Sequence, residues 1–149
     1  MKVLLLALTM ATVSGKELRV GLISDLHLHL RYDAHWGPYD DHEGGCMKKD
    51  GTLEAATAPM GRYGCDSPAI LVETMLDELE LSHGPDLDVI ILTGDSIAHQ
   101  TAKMYPDPAQ DMYALLLSTH TGVVQILSRK FPNTLILPAF GNNDNEYHD

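Results

Sequence analysis

Three short apolar runs, each ending in residues that carry oxygen or imidazole donors, constrain this chain more than any other feature. Leu18-Arg19-Val20-Gly21-Leu22-Ile23 ends at Ser24 and Asp25, with His27 two residues on. Asp88 to Leu92 ends at Thr93-Gly94-Asp95-Ser96, with His99 close behind. Thr134 to Pro138 ends at Ala139-Phe140-Gly141-Asn142-Asn143-Asp144. Short apolar runs bounded by turn residues read as buried strands. Two stretches of helical periodicity separate them, so the expected order is β-α-β-α-β. That order predicts an α/β fold with a parallel sheet and right-handed crossovers. Open α/β sheets bind ligands at the carboxyl ends of their strands, which places the candidate site at these three polar ends.

The first helical stretch begins at Ser67-Pro68, read as an N-cap followed by proline at the first helical position. Ile70, Leu71, Met75, Leu76 and Leu79 then recur at helical spacing and are expected to be core packing. Gly84-Pro85 reads as the stop. The second stretch begins at Asp107-Pro108 and presents Met112, Leu115, Leu116, Thr119, Val123, Ile126 and Leu127 on one face. Arg129 and Lys130 suit the helix dipole at its end, and Phe131-Pro132 closes it. Between the first run and the first helix, residues 32–65 form a long irregular excursion, the kind that is either functional or disordered. Its aromatic residues Trp36, Tyr39 and Tyr63 are expected to pack that loop down; lining a substrate cleft is the alternative.

With 149 residues the chain is long enough for one domain with a real core. Twenty-one acidic residues against ten basic ones give a formal charge of -11. That balance argues against nucleic acid or an anionic membrane as a partner. A phosphate substrate remains compatible, because bound metal ions reverse the charge locally. Residues 1–15 read as a signal peptide: Lys2 is the positive start, Val3 to Ala11 the apolar core, and Val13-Ser14-Gly15 the cleavage site; a buried first strand or an uncleaved anchor is the alternative. Secretion, or delivery to a lysosome- or vacuole-like compartment, is therefore expected. No other apolar run reaches the ~20 residues of a transmembrane helix. Cys46 and Cys65 can pair in an oxidising compartment or stand as two unrelated thiols.

Metal-assisted phosphoryl chemistry needs ligands that converge from separate strands. Asp25 and His27 lie two apart, so a strand that continued through them would turn both to one side. Asp95 can offer one carboxylate oxygen to each of two ions, and Asn142 a neutral carbonyl oxygen. Mixed Asp, His and Asn donors suit zinc, iron or manganese better than calcium. Each motif alone is commonly just a turn. All three, each after an apolar run, favour a site at Asp25, His27, Asp95 and Asn142.

These blocks resemble the first three of the calcineurin-like metallophosphoesterases. The finer likeness is to the acid sphingomyelinase-like phosphodiesterase branch, which includes endopolyphosphatases. It is carried by Ser24-Asp25-Leu26-His27 with Tyr32, Tyr63-Gly64-Cys65-Asp66-Ser67-Pro68, Thr93-Gly94-Asp95-Ser96 with His99, and Pro138-Ala139-Phe140-Gly141-Asn142. The resemblance implies a metal-dependent hydrolase of phosphodiester or phosphoanhydride bonds. Two divalent ions, zinc first among the candidates, would activate water. Asp25, His27 and Asp95 would hold one ion, and Asp95 and Asn142 the other. His99 would contact phosphate or protonate the leaving group, and a disulfide in the Cys46 to Cys65 region is implied. Residues 16–149 would be the N-terminal part of a metallophosphoesterase domain, half of a two-sheet sandwich with flanking helices.

Three departures bear on the chemistry. Asn143 stands where the family has histidine, and an amide is no general acid near neutral pH. That leaves His99 as the acid, or implies a substrate with a good leaving group. His29 stands where an acidic residue is frequent. The family's later histidine ligands have no counterpart: His35, His42, His83, His120 and His148 match no downstream block and are expected at surface or core positions. The expected partners are a phosphodiester or polyphosphate substrate and a missing C-terminal half or a completing partner. The alternative is a truncated, catalytically inactive secreted module that binds metal or phosphate.

Overall fold

The computed structural model describes residues 9–13, 15–38, 46–47, 53–54, 56–99 and 108–144. Tyr39, His42, Asp107, His148 and most of the expected signal peptide lie outside the described residues. Four strands form one sheet: β1 (Thr9–Val13), β2 (Lys16–Ile23), β3 (Val89–Leu92) and β4 (Leu135–Pro138). Two long helices connect the last three, α1 (Ala69–His83) and α2 (Pro108–Lys130). Strands β2, β3 and β4 are parallel and adjacent in chain order, so the α/β architecture read from the sequence is present. β1 pairs antiparallel with β2. Its residues fall within the expected leader, so in the uncleaved chain that segment extends the sheet.

The register fixes which side chains share a face. Val20, Val89 and Leu135 align, and so do Gly21, Ile90 and Ile136. Alternation along each strand puts Ile23, Ile90 and Leu92 on one face, and these are buried at 2% exposure or less. They join Val72, Leu76 and Leu79 of α1 and Val123 and Leu127 of α2 in one core, closed by Phe131. Both helices therefore cover the same face. On the other face Leu135 and Leu137 are exposed and Val89 and Ile91 only half-buried. Along β3 the uncovered apolar face thus falls on alternate residues, with Ile90 and Leu92 sealed beneath the helices.

Several local expectations change. Helix α1 starts one residue later, with Pro68 at the N-cap and no side-chain cap bond. Ser67 does not cap because its backbone is committed elsewhere: its N–H donates to His27 O, and its carbonyl accepts from His29 N. The buried stripe of α1 is Val72, Leu76 and Leu79, whereas Ile70 and Leu71 face solvent. Gly84 has right-handed helical angles and leads into a single 3-10 turn, Gly84–Asp86. Lys130 pairs with Asp77 and Glu80 of α1, so it ties the two helices together as well as ending α2.

The excursion after β2 carries isolated bridges, such as Trp36 with Leu53, and no regular element among its described residues. Tyr63 is 85% exposed and packs nothing down. Tyr32 instead fastens the loop, donating its hydroxyl to Ala58 O at 2.6 Å. Cys46 and Cys65 are joined by a disulfide, and Cys46 is fully buried. The bridge closes a segment with a sequence separation of 19, for which loss of unfolded-chain entropy is worth ~3 kcal/mol. Replacing both cysteines by alanine is expected to lower unfolding stability by about that amount, checked by urea denaturation. Leu76→Ala, at a fully buried position, is expected to cost a further ~2–5 kcal/mol.

Candidate metal centre

The strand ends converge, but not in the way extended strands would. β2 stops at Ile23, so Asp25 and His27 are not on a continuing strand. Among the described residues the non-glycine residues with positive φ are Asp25 (54°), His27 (40°) and Asp95 (53°). Left-handed backbone is disfavoured for L-residues and is stored where the surroundings over-determine it. Hydrogen bonds between the two loops provide that. Asp25 N donates to Gly94 O, His27 N to Asp95 O, and Leu28 N to Ser96 O at 2.8 Å. As a result, ligand atoms of Asp25, His27 and Asp95 all lie within 4.8 Å of one another.

The third loop reaches this cluster through a contact between two glycines. Gly94 has φ 105°, and a Cβ there would sit 2.1 Å from Gly141 N. A Cβ on Gly141 would sit 2.2 Å from Asp95 Oδ1. Gly94 thus serves a close approach to another loop's backbone. The approach brings Asn143 N–H to Asp95 Oδ1 at 2.8 Å. Asn142 lies between these two contact points and is exposed.

His27 Nδ1 is 3.2 Å from Ile97 O, and Nε2 is 3.6 Å from Asp25 Oδ1. A proton on Nδ1 bound to the Ile97 carbonyl leaves the Nε2 lone pair on the Asp25 side, the arrangement that orients an imidazole ligand. Asn143 Nδ2 also lies 3.2 Å from His27 Nδ1, so this amide buttresses the imidazole. With that tautomer the amide oxygen, rather than the nitrogen, would face Nδ1. Two carboxylates and an oriented imidazole fit a divalent ion.

Two carboxylates unassigned by the sequence reading organise the site. Asp144, 5% exposed, accepts from Ser96 N, Ile97 N and Gly141 N. His120 Nε2 approaches it to 3.4 Å. Burial pushes the Asp144 carboxyl up, but His120 and the backbone donors outweigh it and hold it at about 2. Asp66, 6% exposed, accepts from His99 N at 2.7 Å and faces His99 Nδ1 at 2.8 Å. The His99 ring in turn stacks on His27 with centroids 4.0 Å apart. No local pattern announces these roles, since Asp66 meets His99 33 residues on and Asp144 meets Ser96 and Ile97 48 and 47 residues back. His29 is buried with neither ring nitrogen hydrogen-bonded among the described residues, and burial lowers its basicity. His35 and His83 are exposed, and His120 is the buried partner of Asp144.

Asp144→Ala is expected to destabilise the protein by ~2–4 kcal/mol, because it strands three N–H groups. In metal-free protein the Asp144 contribution is full above its ordinary value of 3.8 and is lost as pH falls through about 2. Acid unfolding curves of wild type and variant should therefore converge in that window. Gly94→Ala is expected to cost on the order of 3 kcal/mol or more, since both φ and the Gly141 backbone oppose a Cβ. Thermal unfolding checks it.

No family model matches the chain. Curated relatives do. The human cyclic GMP-AMP phosphodiesterase SMPDL3A is 32% identical over 122 residues, covering 82% of this chain and 24% of the relative. Sphingomyelin phosphodiesterase A of Dictyostelium discoideum is 32% identical over 122 residues, covering 82% of this chain and 19% of the relative. An endopolyphosphatase of Kluyveromyces lactis is 29% identical over 132 residues, with the same 82% and 19% coverage. The chain spans at most about a quarter of the length of these relatives. Among the described residues no helix is long and apolar enough to cross a membrane. By these matches the chain is homologous, over part of their length, to the metallophosphoesterase branch of sphingomyelinase-type phosphodiesterases and endopolyphosphatases.

Proposed function

We propose that the chain supplies the N-terminal part of the catalytic domain of a metal-dependent hydrolase acting on phosphodiester or phosphoanhydride bonds. The observation that carries this reading is the coincidence of backbone strain and donor atoms at Asp25, His27 and Asp95. Asp25, His27 and Asp95 would hold one divalent ion, and Asp95 with Asn142 a second. Zinc suits the mixed oxygen and nitrogen donors. When bound, such ions polarise the phosphoryl oxygens and lower the pKa of water.

The chain's own residues then do the rest. In the proposed step, water oxygen bonds to phosphorus and releases a proton to solvent, the bond to the leaving oxygen breaks, and His99 gives that oxygen a proton, which it regains from solvent. Asn143 hydrogen-bonds and buttresses but cannot protonate. Its presence favours leaving groups that need little protonation, as in a phosphoanhydride. The Cys46–Cys65 disulfide and the apolar N-terminal segment support an oxidising, secretory or lysosome-like destination.

The test is hydrolysis of bis(p-nitrophenyl) phosphate and of polyphosphate by the natural protein, with metal content measured alongside. Asp95→Asn is expected to lower hydrolysis at least ~100-fold and to release bound metal, the scale set by losing several kcal/mol of charge stabilisation. Unchanged hydrolysis and metal content in the variant would overturn the proposal. Metal-loaded wild type that hydrolyses neither substrate would put the inactive binding module in its place.

A further inference from the structure

The structure assigns Asp66 as the positioning residue of His99, an inference that rests on the proposed phosphoryl chemistry for its catalytic consequence. Three observations carry it. First, both oxygens of one buried carboxylate serve one residue: Oδ2 accepts the backbone N–H of His99, and Oδ1 faces its Nδ1. Such a two-point clamp fixes the start of the His99 side chain and the rotation of its ring together. Second, the carboxylate is only 5% exposed while the imidazole is 25% exposed. The acceptor is therefore nearly sealed from solvent, while the ring it holds keeps an exposed part. Third, the clamped ring lies almost parallel to His27, at an interplanar angle of 19°. Asp66 thereby sets the position of His99 relative to the candidate ligand.

An ionised carboxylate accepts and does not donate. It therefore holds the ring proton on Nδ1 and leaves Nε2 as the nitrogen not engaged by Asp66. This is the tautomer logic by which a buried aspartate serves a catalytic histidine in other folds. The placement of Asp66 is itself secured on both sides. Cys65 before it is in the disulfide, and Ser67 after it exchanges backbone hydrogen bonds with the 27–29 loop. The set His27, Asp66 and His99 also has donor atoms within 4.8 Å of one another. The two-point clamp favours an Asp–His pair there over a further ion site.

Asp66→Asn tests this with readouts that a purely structural role would not move. Hydrolysis is compared on two phosphodiesters, one with a p-nitrophenolate leaving group and one with an alkoxide. The expected loss in kcat is ~1,000-fold for the alkoxide and ~10-fold or less for p-nitrophenolate, with KM and metal content little changed. An equal loss on both substrates, or loss of metal, would overturn the assignment. Nitrogen-15 NMR of the His99 ring in metal-free protein gives a second answer that needs no activity and no variant. Protonation on Nδ1 in wild type is the expected result; an Nε2–H tautomer would overturn the inference even if hydrolysis were found. Wild type that hydrolyses neither phosphodiester but shows the Nδ1–H tautomer would sink the proposed chemistry while leaving the clamp intact.

Discussion

The backbone-to-backbone approach of Gly94 and Gly141 is the constraint on which the rest of the site depends. Two loops that follow neighbouring parallel strands meet at a separation no side chain would allow. That contact delivers the Asn142–Asn143 segment to Asp95, and the hydrogen bonds from Asp25 N and His27 N deliver the first loop. The sheet contributes the common edge. Glycine at both contact positions makes the convergence close enough for ligand atoms to share one site.

Convergence of this kind costs free energy. Three left-handed non-glycine residues cost roughly 1–2 kcal/mol each at most, less for Asp and His, which tolerate the region better than most. Acidic groups gathered in one place add repulsion. The Asp144 carboxylate offsets part of this by accepting three N–H groups from the two later loops and holding His120 of α2 against them. Strain held by a hydrogen-bond network and a well-packed core is a common state for sites that bind charged ligands. The core beneath it, from Ile23, Ile90 and Leu92 to Val123 and Leu127, is the rigid platform.

Much of the platform was legible in the sequence because it rests on local signals. Apolar runs of four to six residues and two helical periodicities gave the strand and helix order. The ligand-bearing loops were legible as candidates because each follows such a run. The helix face was misread at Ile70 and Leu71, where apolar character alone does not say which stripe meets the sheet; Val72, Leu76 and Leu79 do. Asp25 and His27 converge by left-handed turns rather than by alternation, because β2 ends at Ile23 and alternation applies only while a strand lasts. The roles of Asp66 and Asp144 could not be read, because their bonds to His99, Ser96 and Ile97 form only when the tertiary fold brings those residues near.

Anomalous scattering at the metal's absorption edge from crystals of the zinc-loaded protein tests the central claim most directly. The account predicts a peak within coordinating reach of Asp25, His27 and Asp95, with the Ile97 carbonyl still facing His27 Nδ1. A map with no peak there, or with its only strong peak among His27, Asp66 and His99, would contradict it.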